Sequence, residues 1–210
     1  MKEIFNKIDE IILNNKEVNV ENNIRQINLI ENKLNIKLPE VLKNFYIQYN
    51  KNQNMLTAFY IFKNLEELEI EKDFLIIGYS NEYVEKYGIY VNDLERECIN
   101  VKVAIYNDYT SNWLDYEELS SFIANCIVFQ TINLLDASAV LDAQEIILEE
   151  YFKPLCTTKS KENKRLSYVS NDGNILAVYF AHENIIYFGA TTDEILNKFE
   201  EQTEIDLDWL

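Results

Sequence analysis

Residues able to do chemistry are few and scattered. His182 is the only histidine, so no histidine pair exists to grip a metal ion. It stands beside Glu183 in the stretch AHEN, residues 181–184, which reads as a solvated turn between strands rather than as the seat of a general base. Cys98, Cys126 and Cys156 are odd in number, far apart and without C-x-x-C spacing, a pattern of free thiols in a reducing compartment. Cys126 falls on an apolar helix face, and the other two lack any nucleophile context. Four glycines at 78, 88, 173 and 189 make no phosphate-cradling loop. The run Glu66, Glu67, Glu69, Glu71, Asp73 is acidic enough for Ca²⁺ but lacks the Asp-x-Asp-x-Asp-Gly spacing, and reads as a solvated strand edge. With 36 acids in the chain, pairs of carboxylates at glycosidase spacing arise by chance. The expectation is a protein that is not an enzyme, with no catalytic residues, no cofactor and no metal.

What remains is a binding surface, and charge says for what. The net charge is −17, unevenly placed: +1 over residues 1–56, −14 over 57–150, +4 over 151–165 and −8 over 166–210. Phosphate recognition needs clustered Lys and Arg, so nucleic acid and anionic membranes are disfavoured. The acidity has two readings, a solubilising surface or a basic protein partner, and the concentration of acids in the middle segment tips it towards a partner, because opposite fields speed encounter. Tyrosine and tryptophan add contact area at small entropic cost. The loop Asn107 to Asp115 combines the two kinds of residue in Asp108, Tyr109, Trp113 and Asp115. The turns at 81–86 and 92–97 add Glu82, Glu85, Asp93, Glu95 and Glu97. These nine are the expected partner-binding residues, forming one negative face if the turns cluster. Trp113 also suits a core position near a helix start.

These residues need a scaffold. Ile24, Ile27, Ile30 and Leu34 recur at helical spacing, and Pro39 and Glu40 suit the first turn of a second helix carrying Val41, Leu42, Phe45, Tyr46 and Tyr49. Asn35 and Asn50 fall where the two helices end and tolerate a left-handed cap. Residues 57–62, 73–79, 87–91 and 99–106 read as strands of an antiparallel meander, with Asn92-Asp93 as one of its turns. Asp115 and Glu118 look like a capping box for a helix bearing Leu119, Phe122, Ile123, Cys126, Ile127, Ile132 and Leu135. A further helix is expected over 140–152, ended by Pro154. The polar, basic stretch 157–165 reads as a linker. Beyond it, Asn171-Asp172-Gly173-Asn174 marks a hairpin, followed by a third strand near 185–188 and a helix over 192–201. The first dozen residues read as an amphipathic helix rather than a signal peptide, and no apolar run nears the ~20 residues of a membrane span.

The order Ile30-Glu31, Leu34, Ile36, Leu38-Pro39, Phe45-Tyr46, Tyr49-Asn50 resembles the N-terminal signature of the SUKH superfamily, mostly bacterial immunity proteins together with a fungal regulator of cell-wall synthesis. The resemblance extends to about Leu135 through DFLIIGY, Tyr87-Gly88-Ile89, the acidic turn Asn92-Asp93 and Trp113. Family members usually carry Gly where this chain has Asn35 and Lys51, and a proline pair where it has Cys98-Ile99. The resemblance implies an α+β fold: an antiparallel sheet of about four strands flanked by N- and C-terminal helices, with a small C-terminal sheet-plus-helix appendage. The expected organisation is a SUKH-like domain over 1–155, a linker over 156–165 and the appendage over 166–210. It also implies a cytoplasmic immunity protein that neutralises a cognate toxin, the acidity pointing to a basic nuclease. The alternative is a non-catalytic scaffold or regulatory module.

Overall fold

The computed structural model describes residues 8, 19–95, 101–107, 109, 111–142, 146–157 and 165–210. The fold is α+β, with seven α-helices and two antiparallel sheets of six strands each among the described residues. None of these helices is long and apolar enough to cross a membrane. The chain divides into two compact units, one within residues 16–123 and the other containing 124–210. The helix expected in the first dozen residues and most of the expected linker lie outside the described residues.

The first unit opens on an elbow of two helices, α1 (Val20–Leu34) and α2 (Glu40–Tyr49). Asn19 caps α1, its side chain accepting from the Asn22 N–H at 3.0 Å, and Asn35 ends it in the left-handed conformation, φ 54°, as its type predicts. Ile27 and Ile30 are buried, whereas Ile24 is 44% exposed, so the apolar stripe is one residue shorter than its periodicity suggests. The connector is held by the buried carboxylate of Glu31. One oxygen accepts the Leu38 backbone N–H at 2.9 Å, and the other accepts Lys37 Nζ at 2.8 Å. Lys43 Nζ lies 3.3 Å from the first. Leu42, Phe45, Tyr46 and Tyr49 of α2 are buried, with the Tyr46 hydroxyl donating to the Lys63 carbonyl at 2.9 Å. Asn50 departs from expectation. Its φ is −56°, and the left-handed residue is Lys51, φ 65°. The Asn50 amide is used instead to donate to Gln26 at 2.7 Å and to accept the Leu65 N–H at 3.3 Å.

A short helix α3 (Gln53–Thr57), capped by the Asn52 side chain, precedes the expected strand and shares only Thr57 with it. The strand proper, β1 (Ile61–Phe62), is two residues long. Then come β2 (Glu69–Glu71), β3 (Phe74–Tyr79), β4 (Glu85–Tyr90), β5 (Lys102–Asn107) and β6 (Asn112–Glu118). Their order is β1-β3-β4-β5-β6, with β2 also on β3, so β3 is central, as its two-sided apolarity predicts. The tight β2–β3 turn uses Lys72 and Asp73, both at positive φ, the geometry of a type I′ hairpin. One sheet face carries Leu75, Tyr87 and Ile89 into a core with Phe45, Phe62 and Phe122, Phe122 lying 5.0 Å from Tyr87 and 6.3 Å from Phe62 by ring centroids. Two expectations are corrected here. Asn92-Asp93 lies in a helix, α4 (Val91–Glu95), not a simple turn. Asp115 is a strand residue, not a cap, since β6 runs through Glu118 straight into α5 (Leu119–Ile132).

The second unit is a six-stranded sheet ordered β12-β7-β11-β10-β9-β8. Its strands are β7 (Ala137–Asp142), β8 (Phe152–Thr157), β9 (Arg165–Ser170), β10 (Ile175–Phe180), β11 (Ile185–Ala190) and β12 (Asp208–Trp209), with helices α6 (Ile146–Tyr151) and α7 (Asp193–Thr203). The helix expected over 140–152 is shorter than its pattern suggests, with strand at 140–142 and at 152. Residues 137–142 form a strand whose Ala137 and Ala139 are buried on one face, and among the described residues of the expected span, 146–151 are helical. The hairpin at 171–174 is present, with Gly173 at φ 84°. Residues 152–157 and 165–170 are adjacent paired strands of this one sheet, so the stretch read as a linker joins neighbours. Both faces of the sheet are covered. Phe152 and Phe188 meet Phe199 of α7 at 5.6 and 5.8 Å, and Phe180 and Tyr187 meet Phe129 of α5 at 5.1 and 5.0 Å.

Glu31 makes the elbow testable. Burial alone would push its carboxyl up, but the hydrogen bonds from Lys37 and the Leu38 N–H and the charge of Lys43 outweigh it and hold it below the ordinary range. A depressed folded pKa gives stability that is complete above the unfolded value of about 4.3 and lost as pH falls through the folded one. Glu31→Leu, which leaves the Leu38 N–H without its acceptor, should cost about 1–3 kcal/mol at neutral pH. Glu31→Gln should cost less. Denaturant melts at pH 3 and pH 7 should show both variants losing less stability on acidification than the parent.

Candidate functional site

The strongest surface feature lies on the first sheet, on the face turned away from its core. Strand alternation puts Phe74, Gly88, Tyr90, Ala104, Tyr106 and Trp113 there, by the pairings Phe74↔Tyr90, Gly88↔Ala104 and Tyr106↔Trp113. Gly88 and Ala104 leave a trough, and the Trp113 indole fills it. A Cβ at Gly88 would come within 2.7 Å of the indole, so the ring rests on bare backbone. It stacks on Phe74 at 4.1 Å and 11°, with Tyr106 tilted against it at 5.4 Å. Phe74 in turn meets Tyr90 at 5.3 Å. The result is a diagonal row, Tyr106–Trp113–Phe74–Tyr90. Tyr79 and the 60%-exposed Tyr83 make a second pair at 5.6 Å.

Lysines lie over this face, each tied to an acid. Lys86 Nζ is 2.9 and 3.1 Å from the two Glu71 oxygens and 5.6 Å from the Tyr106 ring centre. Lys63 repeats the arrangement with Glu69 at 3.0 Å and Tyr79 at 5.6 Å. Burial would lower the Lys63 ammonium's pKa, but the Glu69 hydrogen bond and Tyr79 outweigh it and raise it. Lys102 pairs with Asp115 at 3.0 Å. The acidic run is thereby dispersed: Glu66 faces Lys51 at 3.6 Å, while Glu67 accepts the Asn64 backbone and side-chain N–H at 2.9 and 3.0 Å. The hydrogen bonds from Asn64 hold the Glu67 carboxyl below the usual range. No group of three or more His, Cys, Asp or Glu positioned to hold a metal ion exists among the described residues.

The nine expected contact residues divide. Glu82, in the β3–β4 turn, is exposed, and Glu85 opens β4 half-buried. Tyr109, at the tip of the β5–β6 hairpin, is 87% exposed, its N–H donating to Asn107 at 2.9 Å. Because Glu85 pairs with Asn107, these tips share one end of the sheet. Asp93 and Glu95 belong to α4, which follows β4 at the other end, about 16 Å away along a six-residue strand. The turns therefore do not gather all the acids on one face. Glu97 and Asp108 lie outside the described residues. Trp113 is neither under the helix nor free, but half-buried in the outer ring row. Phe74, Gly88, Tyr90 and Tyr106 are not among the nine expected residues, although Lys86, Gly88 and Tyr90 share one strand face by their period-two spacing.

The second unit offers less. His182 is exposed in the β10–β11 turn, as expected. Cys126 is fully buried, with the buried Arg165 guanidinium nitrogens 3.7 and 3.8 Å from its sulfur. Ser167 donates to Asn125 at 2.6 Å beside it. A pocket of about 290 Å³ lies between the β9–β10 hairpin and α7, lined by Asp172, Asn174, Lys198 and Phe199 among others. The Asp172 carboxylate there is already engaged by Ser170 at 2.6 Å and by Asn174.

No protein-family model, curated protein or solved structure matches this chain.

The trough at Gly88 can be probed optically. Gly88→Val should lift the Trp113 indole off its floor and break the stack with Phe74, at a cost of about 1–2 kcal/mol. In a Trp209→Phe background, which leaves Trp113 as the only tryptophan, emission should shift to the red, and less so for Gly88→Ala.

Proposed function

We propose that this protein is a non-catalytic immunity protein that binds a toxin domain with a basic surface and occludes it. A nuclease is the favoured class, because a surface built to hold phosphate supplies the cations that an acidic inhibitor needs. The carrying observation is the disposition of charge around the first sheet. Residues 57–150 hold 19 acids against five Lys and Arg. The stretches 73–85 and 103–118, which include both adjoining hairpin tips, contain no Lys or Arg at all. Exposed tyrosines stand beside those acids, and rings of this kind carry much of the binding energy at protein interfaces. The resemblance to the SUKH superfamily supports the choice of a toxin as partner. The residues that carry its N-terminal signature, Ile30-Glu31, Leu34, Ile36, Leu38-Pro39, Phe45-Tyr46 and Tyr49-Asn50, all lie in the helix elbow. The proposed site of action is the cytoplasm, where a nuclease toxin meets its substrate.

The test is co-expression with the product of the neighbouring gene. Rescue of viability and a stable complex are expected. Its affinity should fall as salt rises from 0.1 to 1 M, over which the Debye length shrinks from about 10 to about 3 Å. A complex indifferent to salt would remove the electrostatic account. Absence of both toxicity and binding would turn the reading towards a scaffold module.

A further inference from the structure

We propose that the outer face of the first sheet is the surface on which the basic partner docks, and that arginine side chains are what it receives. This rests on the functional reading above and names the place and the chemistry of recognition. The face is apolar and aromatic: Phe74, Tyr90, Tyr106 and Trp113 form a continuous row across four strands, and Tyr90 remains 37% exposed at its end. A row of large rings on the side of a sheet opposite its core is the makeup of an interface centre rather than of ordinary solvated surface.

Charge complementarity selects the occupant. Every described lysine on the face is matched to a carboxylate: Lys63 to Glu69, Lys86 to Glu71 and Lys102 to Asp115. Two of them also sit 5.6 Å from a tyrosine ring centre. The face thus already holds cations in the arrangement proposed for the partner, over a ring with an acid behind. Glu82 and Glu85 add negative charge at the hairpin end, in a stretch without cations. Arginine fits such a face better than lysine, because its planar guanidinium stacks on a ring while donating to a carboxylate. Single-stranded nucleic acid also stacks on rings, but its phosphates would meet these acids.

The full-length chain, isotopically labelled, is titrated with a nonapeptide of alternating arginine and glycine and with its lysine counterpart, and amide and indole NMR shifts are followed. The expected result is movement of the Trp113 indole N–H and of amides in 85–90, 102–106 and 112–115, stronger with arginine. Glu82→Lys combined with Tyr90→Ser should weaken binding about tenfold or more, while Glu201→Lys, an equal charge change on α7, should not. Shifts elsewhere, or equal losses in both variants, overturn the surface. The neighbouring gene product is assayed against the same proteins. Neutralisation that survives Glu82→Lys/Tyr90→Ser keeps the immunity reading and removes this surface. Peptide shifts on the face without a neighbouring toxin do the reverse.

Discussion

A single buried carboxylate sets the geometry at the front of this protein. Glu31 sits at the end of α1 and reaches into the connector, where it accepts the Leu38 N–H and draws in Lys37 and Lys43. A buried charge is tolerated only when such partners surround it. Here the partners come from the connector and the start of α2, so satisfying the charge also fixes the angle between the helices. That angle delivers Phe45, Tyr46 and Tyr49 to the sheet, and the Tyr46 hydroxyl then ties the elbow to the chain at Lys63. A neutral apolar residue in its place would pack, but would leave the Leu38 N–H without its acceptor.

The two sheets solve the problem of their second face differently. The C-terminal sheet is covered by α7 on one side and by residues of α5 on the other, which is why β9 and β10 are buried almost without alternation. The N-terminal sheet packs helices and Phe122 on one side and covers the other with its own side chains. Trp113 lies across β4 where Gly88 leaves room, and the lysines lean over tyrosines while held by acids. An aromatic ring resting on a strand glycine restores packing that the glycine forfeits. It also leaves a face of rings and paired charges rather than of isolated polar groups.

Much of this was legible in the chain. Helical spacing located α1, α2, α5 and α7. Turn chemistry located the 171–174 hairpin, and two-sided apolarity marked β3 as central. The misses share a cause. Residues 137–142, ASAVLD, have helix-forming composition but pair with β11 and β12, because strand pairing outweighs a weak local propensity. Asp115 and Glu118 carry the letters of a helix cap, yet they extend β6 because β5 offers it a partner along its length. The left-handed position fell on Lys51 rather than Asn50, whose amide was needed to bridge Gln26 and Leu65.

By itself the sequence determined the charge and the kind of frame: its net −17 disfavours phosphate-binding surfaces, and its periodicities dictate an α+β chain with an N-terminal helix pair. Only the tertiary structure decided how the candidate residues are arranged in space. Acids that look equivalent along the chain part company in space, Glu82 and Glu85 at one end of β4 and Asp93 at the other, because an antiparallel strand sends successive turns to opposite ends. The ring row is assembled from three separate stretches, 74, 90 and 106–113, by strand register. No single stretch holds the row, and register is set by long-range pairing that local composition does not encode.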